Sequence, residues 1–192
     1  LDFLDPIDRQ IIIHKKYESD QVLFLEKKME KILFDYFLDV GANSGYYSFY
    51  FADKFKNLKV RAFEPNFDAF NKFKKTLHKS TFKNIEVFNF GLSDKKKKVR
   101  MYSMITHDYT HSNSTRSKNL DDTDIKNYKI FEASLTLGDN LFNLFKKKLA
   151  LKIDVEGHEI HTLKGLIKCL LNNKCLILIE IHNEKFSEVN DF

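Results

Sequence analysis

The chain has 192 residues, of which 43% are hydrophobic and 14% aromatic, enough for one domain with a buried core. Its net charge of +5 comes from 32 bases interleaved with 27 acids. Without a base-reading motif, that balance reads as a solvated surface and excludes a nucleic-acid groove from the expected functions. No apolar run reaches the roughly 18 residues of a membrane helix, and the opening LDFLDPIDRQ carries acids where a secretory signal carries bases, so a cytoplasmic protein is expected.

In chain order, residues 20–37 place Val22, Leu25, Met29, Ile32, Leu33 and Tyr36 on one face of an amphipathic helix, with Ser19 or Asp20 as its cap. Phe37–Val40 is a short apolar strand that ends at Gly41, and a helix follows over 44–55. KVRAF (59–63) reads as a strand stopped by Glu64-Pro65. A helix over 66–79 carries Phe67, Phe70, Phe73 and Leu77, and IEVFNF (85–90) is the third strand. Residues 97–104 suggest an added strand. Residues 105–130, polar and aperiodic, suggest a lid that carries His107, Tyr109, His111 and Arg116. A short helix at 139–147, a strand at 149–155 (LALKIDV), a helix at 158–171 and a strand at 175–181 (CLILIEI) complete the pattern. Cys169 and Cys175 lack both metal-ligand spacing and a disulfide framework, and read as two small buried hydrophobes in a reducing compartment.

Near-continuous apolar strands alternating with helices imply an α/β fold, a doubly wound, mostly parallel sheet covered on both faces. Ligands of such sheets sit beyond the carboxyl ends of the strands, where the strand order reverses. The residues that follow each strand are the most polar and unusual in this sequence.

After the first strand comes Asp39-Val40-Gly41-Ala42-Asn43-Ser44-Gly45. Gly41 permits a tight turn and Gly45 lets a helix N-terminus approach a ligand closely. The strand and helix patterns around Gly45 do not depend on it, so Gly45→Val is expected to block binding and leave the fold intact. Asn43 stands where a dinucleotide loop has its second glycine, which argues against a nicotinamide-dependent dehydrogenase, and Asp39 suits a ligand with a cationic amino group. Glu64 lies 23 positions beyond Gly41, where an acid holds the ribose hydroxyls of a nucleoside. Gly91-Leu92-Ser93-Asp94 follows the third strand on the adenine side of such folds. Lys152-Ile153-Asp154-Val155-Glu156-Gly157-His158-Glu159 follows the fourth, and Glu180, His182 and Asn183 end the fifth.

These segments resemble the FkbM-type methyltransferases. The resemblance rests on LDVGANSGYYS (38–48), VRAFEPNFDAF (60–70), NIEVFNFGLSD (84–94), LKIDVEGHEIHTLKG (151–165) and LILIEIH (176–182), with DPIDR and Tyr17-Glu18 as a familiar lead-in. It implies a class I, Rossmann-like methyltransferase fold, with a helical lead-in over 1–37 and an S-adenosylmethionine-binding domain over 38–192. By similarity Asp39, Gly41, Asn43 and Gly45 contact the methionine part of S-adenosylmethionine, Glu64 holds the ribose, and Gly91, Leu92 and Ser93 flank the adenine. The implied reaction is O-methylation of a hydroxyl on a saccharide, glycolipid or secondary metabolite. Two departures stand out. Gly138 lies where the family often shows an acid. The family fold continues with a final helix and an antiparallel strand pair, so the chain is expected to be trimmed or unusually short.

For the proton of the acceptor hydroxyl, Asp154 and His182 are the expected catalytic pair, with Glu156, His158 and Glu180 around them. A metal-free histidine base oriented by Asp154 is favoured over a divalent cation held by the same groups. The rival to an enzyme is a non-catalytic domain that binds a nucleoside or a partner.

Overall fold

A computed structural model describes residues 6–14, 17–106, 109–114, 128–141 and 144–181. Its helices are α1 (Pro6–His14), α2 (Ser19–Met29), α3 (Tyr46–Lys54), α4 (Phe67–Lys79), α5 (Glu159–Gly165) and α6 (Ile167–Leu171). Its strands are β1 (Tyr36–Val40), β2 (Lys59–Phe63), β3 (Ile85–Phe88), β4 (Gly91–Ser93), β5 (Lys97–Thr106), β6 (Tyr109–Ser114), β7 (Tyr128–Leu137), β8 (Lys148–Ile153) and β9 (Lys174–Ile179).

Five strands form a parallel sheet in the order β3-β2-β1-β8-β9. The order reverses between β1 and β8, where Asp39 pairs with Lys152 and Val40 with Ile153. Alternation along the strands builds two cores. On one face Phe37, Val60, Ala62 and Ala150 pack with Val22, Leu25 and Met29 of α2, Phe51 of α3 and Phe73 of α4. On the other, Leu38, Val40, Phe63, Leu149, Leu151 and Ile153 pack with Leu163, Leu166 and Cys169. Each fully buried Phe or Leu contributes roughly 1.5–3 kcal/mol. Helices on both faces make the sheet doubly wound, as the apolar runs predicted.

A second sheet, β4-β7-β5-β6, is mostly antiparallel and lies beside α5. Leu92 of β4 is fully buried among the residues under α5, and Thr162 Oγ1 donates to the Leu92 carbonyl at 3.2 Å.

The observed elements depart from the sequence pattern where long-range contacts decide. The helix over 20–37 stops at Met29 and begins after Glu18, not at a Ser19 or Asp20 cap. Ile32 and Leu33 are exposed because the chain must turn there for Asp35 to accept from the Lys148 amide at 2.8 Å and lead into β1. β3 ends at Phe88, where the Asn89 side chain donates to the carbonyls of Glu64 and Pro65, and Gly91–Ser93 joins the other sheet. The segment expected to be structureless over 105–130 holds the end of β5, all of β6 and the start of β7; the rest of it, with His107 and Arg116, lies outside the described residues. In place of a helix at 139–147 there is a single 3-10 turn, Gly138–Asn140, among the described residues. Asp139 is tied down by the amides of Lys168 and Cys169. The helix over 158–171 breaks at Leu166, because Gly165 is pressed against the Ser93 carbonyl. Cys169 is buried as expected, but Cys175 is exposed, since β9 is the edge strand of its sheet.

Gly41 fixes how β1 ends. Its φ is +81°, and a Cβ there would lie 1.8 Å from the Asp154 carbonyl oxygen. Gly45 is also left-handed at +90°, and its Cβ would meet the Phe73 ring at 2.7 Å. Its smallness therefore serves the packing of α3 on α4, and the expectation that Gly45→Val spares the fold is corrected. Gly41→Ala and Gly45→Val should each cost at least about 2 kcal/mol in urea unfolding, combining strain at a left-handed site with overpacking. Wild-type midpoints in both variants would contradict this geometry.

Candidate active site

The carboxyl ends of β1, β2 and β8, with β4, open onto a cleft of about 340 Å³. Gly41–Ser44, Glu64 and Pro65 form one wall, and Asp154, Val155, Glu156 and His158 form another. Gly91, Leu92, Met101 and Leu135 line the end beside the second sheet. Gln10, Tyr17 and Glu18, from α1 and the α1–α2 junction, close over it with Tyr46 and Tyr47 of α3.

The turn after β1 is held from below. The amides of Gly41 and Ala42 donate to the Phe63 carbonyl at 3.0 and 3.1 Å. Asn43, left-handed at φ 50°, donates its amide to Glu64 Oε2 at 2.7 Å. Glu64 Oε1 accepts from the Asn66 amide, also at 2.7 Å. Glu64 thus ties the β1 turn to the start of α4, and Asn66 caps that helix by accepting from the Asp68 and Ala69 amides. Burial pushes the Glu64 carboxyl up to about 7, against the pull of the Asn66 and Asn43 amides and of Lys152.

Beneath the turn lies a buried charge cluster on the α3 face of the sheet. Lys152 is 7% exposed; its Nζ is 2.8 Å from Asp154 Oδ2 and 5.1 Å from the centre of the Tyr47 ring. Burial pulls the Lys152 ammonium down, but Asp154 and Asp39 outweigh it and hold its pKa above the ordinary value. Asp39 accepts from Ser48 Oγ at 2.6 Å, while its other oxygen is buried with no hydrogen-bond partner among the described residues. Burial raises the Asp39 pKa, with Lys152 and Ser48 opposing.

At the end of β8 the backbone turns through Glu156 (φ 52°) and Gly157 (φ 95°). Glu159, 1% exposed, accepts from the Gly157 amide at 2.7 Å and so holds that turn. Glu180, beyond β9, has a pKa raised by burial first and then by Asp154 and Glu18. On the far side Glu18 Oε2 accepts from the Tyr47 hydroxyl at 2.7 Å, and burial together with Glu18 drives the Tyr17 and Tyr47 hydroxyls upward.

Of the residues singled out in the sequence, Gly41, Asn43, Glu64, Gly91, Leu92, Asp154, Glu156 and His158 line one cleft. Asp39, Gly45 and Ser93 are buried behind its wall: Asp39 faces Ser48, Gly45 faces Phe73, and Ser93 bonds to Asp94 and His158. His182 and Asn183 lie outside the described residues. Sequence reasoning missed Gln10 and gave no separate role to Lys152, Glu159, Tyr17, Glu18, Tyr46 and Tyr47. The signal for Lys152 was a lone charge inside an apolar strand, at the position facing Asp39 across the β1–β8 register.

Residues 39–192 match the family described as the Methyltransferase FkbM domain. The hexuronic acid methyltransferase AglP of Haloferax volcanii is 29% identical over 172 residues, 86% of this chain; the chain spans 62% of that relative's length. Among solved structures, precorrin-6y C5,15-methyltransferase from Geobacter metallireducens GS-15 superposes with a TM-score of 0.50 at 13% identity, covering 92% of this chain and 69% of that one. A Staphylococcus aureus protein provisionally assigned as a caffeoyl-CoA O-methyltransferase gives 0.53 at 10% identity, covering 100% and 73%. The two superpositions establish the fold.

The raised Glu64 pKa has a signed consequence. The folded protein holds this proton between about 4.5 and 7 while the unfolded chain has released it, so this group lowers stability as pH rises through that window. Glu64→Gln should flatten that part of the pH–stability curve of the ligand-free protein, in addition to a pH-independent loss from one unpaired amide. Parallel curves for the two proteins would show that Glu64 is not the titrating group.

Proposed function

The chain belongs to the FkbM-domain methyltransferase family, and from that premise we propose that it transfers a methyl group from S-adenosylmethionine to an oxygen of a saccharide. The observation that carries the reading is Glu64 lining the cleft beside the Gly41–Ser44 turn, at the point where the strand order reverses.

The residues present fit the cofactor. After accepting from Asn43 and Asn66, the Glu64 carboxylate keeps lone pairs for two vicinal ribose hydroxyls. The Gly41–Ser44 turn offers backbone groups to the amino-acid end, and Glu18, Asp154 and Glu156 offset the positive charge of an ammonium and a sulfonium. Pro65, Leu92, Met101 and Leu135 give an apolar wall of the kind a purine ring needs. Asp39, bonded to Ser48, and Lys152, paired with Asp154, back the turn from behind, and we assign Asp39, Gly45 and Ser93 to shaping the wall. When bound, S-adenosylmethionine supplies a methyl carbon already activated by its sulfonium.

The chain's own task is then alignment and proton handling. Holding an acceptor oxygen in line can supply several kcal/mol, by the ~7–11 kcal/mol scale of well-oriented intramolecular reactions. The acids Asp154 and Glu156 line the cleft, and β9, which pairs with β8, leads within three residues to His182. We assign Asp154 and His182 to removing the hydroxyl proton, with histidine as the base. The hexuronic acid named for the Haloferax relative supports a sugar acceptor.

The test is calorimetric titration with S-adenosylhomocysteine, followed by transfer of labelled methyl from S-adenosylmethionine to a panel of hexuronic acid glycosides and matched neutral glycosides. One-to-one binding and label in a sugar are expected. No binding at millimolar ligand would overturn the cofactor assignment, and binding without transfer to any sugar would overturn the acceptor class. His182→Ala should lower turnover by about 10²-fold with cofactor affinity unchanged; near-normal turnover would remove the base from the account.

A further inference from the structure

A chain of hydrogen bonds runs behind the cleft from His161 to His158. His161 Nδ1 lies 3.1 Å from Asp94 Oδ2, Asp94 Oδ1 accepts from Ser93 Oγ at 3.0 Å, and Ser93 Oγ lies 3.0 Å from His158 Nε2. The two imidazoles stack with centroids 4.8 Å apart. Asp94 is held well below the usual carboxylate range, at about 2: burial opposes this, and the bonds from His161 and Ser93 overcome it. An ionised Asp94 is only an acceptor, so the single Ser93 hydroxyl proton is committed to it. The Ser93 oxygen can then only accept from His158. Nε2 of His158 therefore carries the ring proton, and Nδ1 carries a lone pair for which the described residues supply no hydrogen-bond partner. The imidazole stays neutral: burial, His161 and Lys97 depress it to about 4, with Asp94 opposing.

The place of His158 in the cleft lining suggests a use for this lone pair. Glu64 is followed by Pro65, whose ring approaches Gly91: a Cβ at Gly91 would be 3.5 Å from Pro65 Cγ. Gly91 and Leu92 lead directly to Ser93 and so to His158. A nucleoside whose ribose rests on Glu64 extends its base along that run, against Leu92, Met101 and Leu135. His158 lines the same cleft with Nε2 already engaged by Ser93, which leaves Nδ1 as its free ring acceptor, and the edge of adenine offers an exocyclic amine as donor.

We propose that His158, locked as its Nε2–H tautomer by Ser93, Asp94 and His161, accepts a hydrogen bond at Nδ1 from the exocyclic amine of the cofactor's adenine and so selects adenine over a 6-oxopurine. The assignment rests on the cofactor reading above. Ser93, Asp94 and His161 are positioning residues; of these four side chains only His158 touches the ligand. A 6-oxopurine would turn a carbonyl oxygen toward the same lone pair.

The test needs no turnover. Long-range ¹⁵N–¹H correlation spectra of the intact wild-type protein should show His158 as the Nε2–H tautomer; the Nδ1–H tautomer would overturn the proposal. Calorimetry then compares S-adenosylhomocysteine with its deaminated analogue, S-inosylhomocysteine. Wild type should prefer the adenine compound by at least about 10-fold, the scale of a lost hydrogen bond plus an opposed acceptor. His158→Phe keeps the ring volume and the stack on His161, and should shrink that preference to within about 3-fold while still binding S-adenosylhomocysteine. Asp94→Asn, which releases the Ser93 proton from its carboxylate partner, should shrink it partway and change the tautomer signature. A preference unchanged in His158→Phe, or absent in wild type, overturns this assignment while leaving the cofactor reading standing. Failure of both compounds to bind wild type overturns this assignment and the cofactor reading together.

Discussion

Everything at the ligand end of this protein depends on how closely β1 and β8 approach where the strand order reverses. The Asp154 carbonyl occupies the space in which any residue but glycine at 41 would place its Cβ. That contact forces the chain to leave β1 in a left-handed turn, in which the Gly41 and Ala42 amides meet the Phe63 carbonyl and the Asn43 amide meets Glu64. The same approach brings Asp39 opposite Lys152, so the strand pair carries a buried acid and a buried base side by side. A charge in this position is tolerated only when paired, and Lys152 satisfies Asp154 and faces Asp39 at once.

The cleft is in consequence rich in carboxylates with one buried ammonium among them. Burial raises Glu64, Asp39 and Glu180, whereas Lys152 holds its proton against burial. Such a lining favours a cationic ligand. It also makes protonation of Glu64 near neutral pH part of binding: a ligand that needs both carboxylate oxygens as acceptors must displace that proton.

The sequence disclosed the parts of this arrangement that short-range chemistry sets. FLDV and LALKI are apolar on both faces because both faces are covered, and the acids after each strand announce the ligand end. The second sheet was harder to read. β7, YKIFEASLTL, alternates apolar and polar residues from Phe131 to Leu137, with Ala133 and Leu135 buried, so a strand was legible there; its pairing with β5 is a long-range choice that no local pattern sets. Gly45 looked like a ligand contact because its neighbours do; only the packing of α4 reveals that Phe73 requires it. Asp39 and Ser93 were placed at the site by their positions in motifs, but the pleat turns Asp39 toward α3 and Ser93 beneath His158. Tyr17 and Glu18 reach the cleft through the docking of α2 by its Val22, Leu25 and Met29 face; that face was legible in the sequence, but where on the sheet it docks was not.

The central claim is that Glu64 receives the ribose of a nucleoside cofactor seated across the β1–β8 reversal. The most direct test is a crystal structure of the chain with S-adenosylhomocysteine. The account predicts both ribose hydroxyls within hydrogen-bond distance of the Glu64 carboxylate, the amino-acid end at the Gly41–Ser44 turn, and the purine between Pro65 and Leu92. A nucleoside bound with its ribose away from Glu64, or a ligand seated elsewhere on the molecule, would contradict it.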